Sequence, residues 1–211
     1  MPVITISRQL GAGGQAVATL LAEQLGWRLL DRALVERIAE ELEVAPEDVE
    51  ECDERVESFV ERLGAYLAEG FPEVLPTPVL RPVSPERTAR SVRRIVGALV
   101  EEEPAVVVGH GAQCILQGQP GTMHVFLHAP LHVRVARAME RYRIGEREAT
   151  ERIRRSDGDR KRYVREHFER DWLDACLYHL CLDTGSVGVE GAVDLIRATG
   201  RQILRGEGLG P

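Results

Sequence analysis

The sequence predicts a three-layer α/β fold, a parallel sheet of about five strands with helices on both faces. Three observations carry this reading. The chain opens on Val3-Ile4-Thr5-Ile6-Ser7, a short β-branched run of the kind that forms a strand buried on both faces. Pro104-Ala105-Val106-Val107-Val108-Gly109 is a second uninterrupted apolar run, bounded by Pro and Gly. Strand and helix patterns alternate from the first residues onward, which calls for crossover connections and therefore parallel pairing.

The elements follow in order. After the first strand come Gly11, Gly13 and Gly14, then a helix over Ala16 to Leu25 with Gly26 in the C-cap position. Trp27 to Leu30 is a second strand ending at Asp31, and helical spacing resumes through Leu34, Ile38 and Leu42. Ala45 to Ala68 has the three- and four-residue apolar steps of a long amphipathic helix. Phe71 to Pro85 holds five prolines, too many for a central element, and reads as an extended excursion within the domain. Helical pattern returns over Glu86 to Val100. Met123 to His128 and His179 to Asp183 complete the strands, and Glu190 to Leu204 closes the chain as a helix. The reading is one domain over 1–211, with a helical and Pro-rich insertion at about 40–100.

Composition narrows the function. The chain has 211 residues, with 44% hydrophobic and 29% charged, the balance of a globular domain that needs no disulfide or structural metal. No apolar run is long enough to span a membrane, and no leader pattern opens the chain. The four cysteines (Cys52, Cys114, Cys176, Cys181) form no CxxC pair and read as reduced, mostly core thiols, so the expected location is cytoplasmic. The histidines show no metal-ligand spacing. A net charge of −7 argues against nucleic-acid binding, but it is unevenly spread. Residues 134–170 carry 13 of the 27 basic residues against 8 acids, a local excess that suits a small polyanion.

Ser7-Arg8-Gln9-Leu10-Gly11-Ala12-Gly13-Gly14-Gln15 joins a strand to a helix. Glycines there turn backbone N–H groups inward beside the positive end of a helix dipole, which makes a phosphate cradle. The GxxxxGK[ST] pattern is not met: Arg8 stands at its first glycine, Gly14 at its lysine and Gln15 at its hydroxyl. The segment therefore reads either as a phosphate loop, with Arg8 supplying the missing cation, or as a plain glycine-rich turn.

Ile4 to Gly14 resembles the opening I-S-R-Q-x-G-x-G-G run of the cytidylate kinase-like proteins, relatives of bacterial cytidylate kinase among the nucleoside monophosphate kinases. Leu30-Asp31 with Arg37 is similar to their L-D-x-x-x-x-x-R run, and Asp157 to Tyr163 to the D-x-x-R-x-x-Y of an arginine-rich lid. Trp172-Leu173-Asp174, Tyr178 and Asp183-Thr184 fit the C-terminal pattern, and Val106 to His110 stands where the family has a strand ending in Gly-Arg. Residues 45–100 match weakly.

The resemblance implies a P-loop, nucleoside monophosphate kinase-like fold with a mobile lid at about 134–170, and transfer of the ATP γ-phosphate, with Mg2+, to CMP or dCMP. Arg8, Gly11, Ala12, Gly13, Gly14 and Gln15 would bind the donor phosphates. Arg155, Arg160 and Arg162 would act on the transferred group, since guanidinium forks match phosphate oxygens. The same arginines also read as a solvated helical face with i,i+4 Glu partners. Asp31 and Arg37 fall on the acceptor side, although Asp31 reads equally as the N-cap of the following helix. No Walker B carboxylate is apparent, so the metal ligands stay unnamed. Two alternatives remain: a kinase of another small metabolite, and a non-catalytic nucleotide sensor on an eroded kinase fold.

Overall fold

The computed structural model describes residues 1–31, 96, 97, 100, 101 and 103–204. The helices expected over residues 32–68, the proline-rich excursion and Arg37 lie outside the described residues. Of the helix expected over Glu86 to Val100, Val96 and Val100 are helical and buried one turn apart.

The described strands form one parallel sheet in the order β2-β3-β1-β4-β5. They are β1 (Val3–Arg8), β2 (Arg28–Leu30), β3 (Ala105–Val108), β4 (Thr122–His128) and β5 (Leu180–Asp183). The apolar runs that predict the strands become the sheet, with ends differing by a residue. β1 is central: Ile4 lies opposite Val106 on one side and Met123 on the other, and Ile6 opposite Val108 and Val125.

Strand alternation sends Ile4, Ile6, Val106, Val108, Met123, Val125 and Leu127 into one core with α1 (Gly14–Leu25) and α5 (Thr184–Ile203). The helices contribute Val17, Ala18 and Leu21, and Ala192, Val193 and Ile196. Each fully buried Leu, Ile or Val there contributes on the order of 1.5–3 kcal/mol. Gly26 ends α1 at φ 63°, and the Trp27 amide donates back to the Ala22 carbonyl at 3.0 Å.

Between β3 and β4 lies the short α2 (Ala112–Ile115). The arginine-rich segment is two helices, α3 (Leu131–Tyr142) and α4 (Glu146–Phe168). On the second face of the sheet, Tyr163 and Val164 of α4 pack with Phe126 and Trp172. Trp172 meets Phe126 edge-on, centroids 5.3 Å apart, and donates its indole N–H to Ser7 Oγ at 2.7 Å.

Two expectations are corrected. Helix α5 begins at Thr184 rather than Glu190, with a non-helical Gly188 (φ 72°, ψ −175°) breaking its first turn from the rest. Of the cysteines expected in the core, Cys114 is half-buried but Cys176 and Cys181 are exposed, the latter on the edge strand β5. Burial pushes the Cys114 thiol up to about 11, so it is not a thiolate nucleophile near neutrality.

His124 of β4 is buried, with Nδ1 hydrogen-bonded to Thr5 Oγ1 at 2.9 Å and the His179 ring centroid 5.0 Å away. Burial, and secondarily His179, lower its pKa from 6.5 to about 4. The unfolded chain therefore takes up a proton near pH 6.5 that the folded chain refuses until about pH 4. This stability is present above pH 6.5 and is lost as pH falls through that window. His124→Gln should flatten the slope of unfolding free energy between pH 6.5 and 4.5, a difference of about 2–3 kcal/mol across the window. Equal slopes in urea titrations of the two proteins would contradict it.

Candidate active site

The carboxyl ends of β1, β2 and β3 open into a cavity of about 430 Å3. That is where open parallel sheets bind ligands, and the volume is within the usual range for small molecules. Its floor is the turn from Arg8 to Gln15. Asp31 lines it from the end of β2, Val108 and His110 from β3, Arg137, Arg141 and Tyr142 from α3, and Arg160 from α4.

The turn is held from behind. Gly11 and Gly13 adopt positive φ (82° and 74°), and Gly13 caps α1 without any side-chain hydrogen bond. A β-carbon on Gly11 would lie 2.7 Å from the Arg134 carbonyl oxygen, so only glycine lets the turn press against α3. Three of the turn's carbonyls are taken by side chains. Arg134 donates to the Leu10 carbonyl (3.3 Å), Arg137 to that of Gly11 (3.3 Å), and the Thr184 hydroxyl to that of Ala12 (2.7 Å). Arg137 also donates to the Thr184 hydroxyl (3.2 Å) and carbonyl (3.1 Å), fixing the turn to the start of α5. The first amides of α1 have no intrahelical carbonyl to bond, and they begin at the cavity floor.

Arg8 explains the departure from the lysine-bearing pattern. Its stem crosses Gly14, where a β-carbon would come within 2.5 Å of Arg8 Cγ. Its guanidinium reaches Gly109, where a β-carbon would touch Nη1. A side chain at position 14 and the arginine at position 8 thus exclude each other, and the cation enters from the strand end instead of the helix. Among the described residues, Arg8, Arg137, Arg141 and Arg160 line the cavity against one carboxylate, Asp31. Four guanidinium groups and the amide turn fit a polyphosphate.

Asp31 accepts from Gln15 Nε2 at 2.5 Å, which places the predicted acceptor-side carboxylate beside the predicted hydroxyl position. No group of three His, Cys, Asp or Glu that could hold a metal occurs among the described residues. Among the described residues, Asp31 is the carboxylate that lines the cavity.

Of the predicted site residues, Arg8, Gly11, Gly13, Gly14, Gln15, Asp31 and Arg160 come together at the cavity, with Ala12 buried behind them. Arg155 is exposed and Arg162 pairs with Asp159 at 3.9 Å; neither lines the cavity. The cause is helical geometry. At about 100° per residue, positions 155 and 162 sit on one side of α4 and position 160 roughly opposite. Arg137 and Arg141 were not singled out by sequence, although Arg134, Arg137 and Arg141 recur at three- and four-residue spacing just after a strand and mark one helix face. His110, between Gly109 and Gly111, holds φ 56° in the cavity wall.

A sequence model of the cytidylate kinase-like family matches residues 3–186. No curated protein matches the sequence significantly. Among solved structures, an uncharacterized protein from Eubacterium ventriosum is 24% identical with a TM-score of 0.67, covering 93% of this chain and 96% of its own. Shikimate kinase from Bacteroides thetaiotaomicron is 16% identical with a TM-score of 0.52, again covering 93% and 96%. These likenesses show a shared fold, and the family match supports a small-molecule kinase. No helix among the described residues is long and apolar enough to cross a membrane.

The pinning of the turn gives a paired test. Gly11→Ala meets backbone at positive φ, whereas Gly26→Ala has positive φ but open space. Gly26→Ala should cost about 1 kcal/mol and Gly11→Ala about 2–4 kcal/mol in denaturant unfolding. Equal costs would show that Arg134 does not confine the turn.

Proposed function

Since this chain belongs to the cytidylate kinase-like family, we propose that it is an ATP-dependent phosphotransferase that moves the γ-phosphate to a nucleoside monophosphate, CMP or dCMP. The observation that carries the reading is the cavity floored by a glycine turn and lined by four arginines. Phosphoryl transfer asks the protein for positioning and for charge around the equatorial oxygens, with little covalent work. The amides of Gly11 and of residues 13–15, with Arg8, hold the donor phosphates, the role an ammonium group fills in lysine-bearing loops, while the Ala12 amide, expected among them, is taken by the Gln9 carbonyl. Arg160 is the lid arginine given the transferred group, with Arg137 and Arg141 at the side of the turn. Asp31 and Arg37 belong to the acceptor side. Magnesium would supply positive charge to the donor phosphates, and Asp31, hydrogen-bonded to Gln15, would hold its waters.

The test is ADP release across a panel of nucleoside monophosphates. ADP formed with CMP or dCMP alone supports the reading. ADP formed with a different phosphate acceptor moves the chain to the second alternative, and ATP binding without ADP from any acceptor moves it to the sensor. In the active case, Arg160→Ala should reduce kcat about 100-fold and change the KM for ATP less than about threefold, because its contact strengthens in the transition state. Equal losses in both would remove that role.

A further inference from the structure

The inward face of α4 runs through Ala149, Ile153, Asp157, Arg160 and Val164. Three of these are buried apolar residues, with Ala149 and Ile153 packed on Val135 and Ala138 of α3. Two charged side chains interrupt the stripe, Asp157 at 17% and Arg160 at 11% side-chain exposure. Charges drawn this far from water are costly unless fully engaged, so their partners identify their purpose. Asp157 Oδ1 accepts the Leu10 amide at 2.8 Å, its Oδ2 accepts Arg134 Nη1 at 2.6 Å, and Arg160 Nη1 lies 3.5 Å from Oδ1. One carboxylate thus joins the glycine turn, α3 and the arginine that reaches the cavity. Arg134 in turn holds the Ala129 carbonyl at 3.0 Å, so the cluster is anchored to the end of β4.

We propose that Asp157 is a positioning residue: it fastens α4 to the glycine turn and aims the Arg160 guanidinium at the phosphate transferred there. The proposal rests on the phosphotransferase reading for the second half and on geometry alone for the first. A plain helix-packing role would be served by an apolar residue, whereas the observed one couples the turn amide at Leu10 to the reach of Arg160. A carboxylate accepts from an N–H donor and one guanidinium while its charge holds a second guanidinium in ion-pair range, which no neutral side chain does.

The experiment is a mutant cycle with an amide readout. Asp157→Asn keeps the shape and an acceptor for Leu10 but removes the charge; Asp157→Ala removes both. In Asp157→Ala the Leu10 amide, followed by NMR hydrogen exchange, should exchange at least about tenfold faster while the Ile6 amide of β1 is unchanged. Asp157→Asn should lower kcat at least about tenfold with the KM for ATP altered less than about threefold. The Asp157→Asn/Arg160→Ala double variant should be no more than about twofold slower than Arg160→Ala, since the carboxylate acts through that arginine. Losses that multiply, or fall on KM, would overturn the positioning of Arg160. Unchanged Leu10 exchange would overturn the fastening. A wild type that binds ATP but forms ADP with no acceptor fails the phosphotransferase reading and with it the aiming of Arg160, and Leu10 exchange still decides whether Asp157 fastens α4.

Discussion

The turn between β1 and α1 is confined from outside. Gly11 lies so close to the Arg134 backbone that no β-carbon fits, and the carbonyls of Leu10, Gly11 and Ala12 are each taken by a side chain. A peptide unit whose oxygen is fixed on one side presents its N–H to the other. The Ala12 amide turns back to the Gln9 carbonyl at 3.1 Å, so the dipoles oriented at the cavity floor are the Gly11 and Gly13 amides and the first of α1, the preorganisation that makes electrostatic stabilisation effective. The arginines that do this pinning are part of the cavity's own charge: Arg137 both holds the turn and lines the space above it.

The same packing accounts for the missing lysine. With the Arg8 stem laid over Gly14, position 14 has no room for a side chain, and the cation of the loop comes from the last residue of β1. In the proposed phosphate site guanidinium would replace ammonium, a bidentate planar donor in place of a point charge. Gly109 makes the same concession at the end of β3, where the Arg8 guanidinium passes. Three glycine positions thus serve one arginine and one turn, which ties the sequence pattern R-x-x-G-x-x-G to a packing constraint.

The middle of the sheet was legible because β1, β3 and β4 are buried on both faces and so appear as uninterrupted apolar runs such as Val106 to Val108. The kinked start of α5 was not, because Thr184-Gly185-Ser186-Val187-Gly188 carries two glycines and no helical periodicity; Thr184 is placed there by its bonds to the turn. In the site, the glycine turn, Arg8, Asp31 and Arg160 were readable from type and spacing. Choosing among Arg155, Arg160 and Arg162 needed the angular register of α4 against the body, which depends on Ile153 and Val164 docking and is a tertiary fact. Arg137 was hidden for the converse reason: its partners, Gly11 and Thr184, are distant in sequence.

Whether the turn grips a triphosphate is decided most directly by a crystal structure of the wild-type chain with magnesium and a non-hydrolysable ATP analogue. The account predicts β- and γ-phosphate oxygens within about 3 Å of the amide nitrogens of residues 13–15, with the Arg8 guanidinium on the same oxygens. A nucleotide bound away from the turn, or phosphates resting on the arginines alone with those amides facing water, would contradict it.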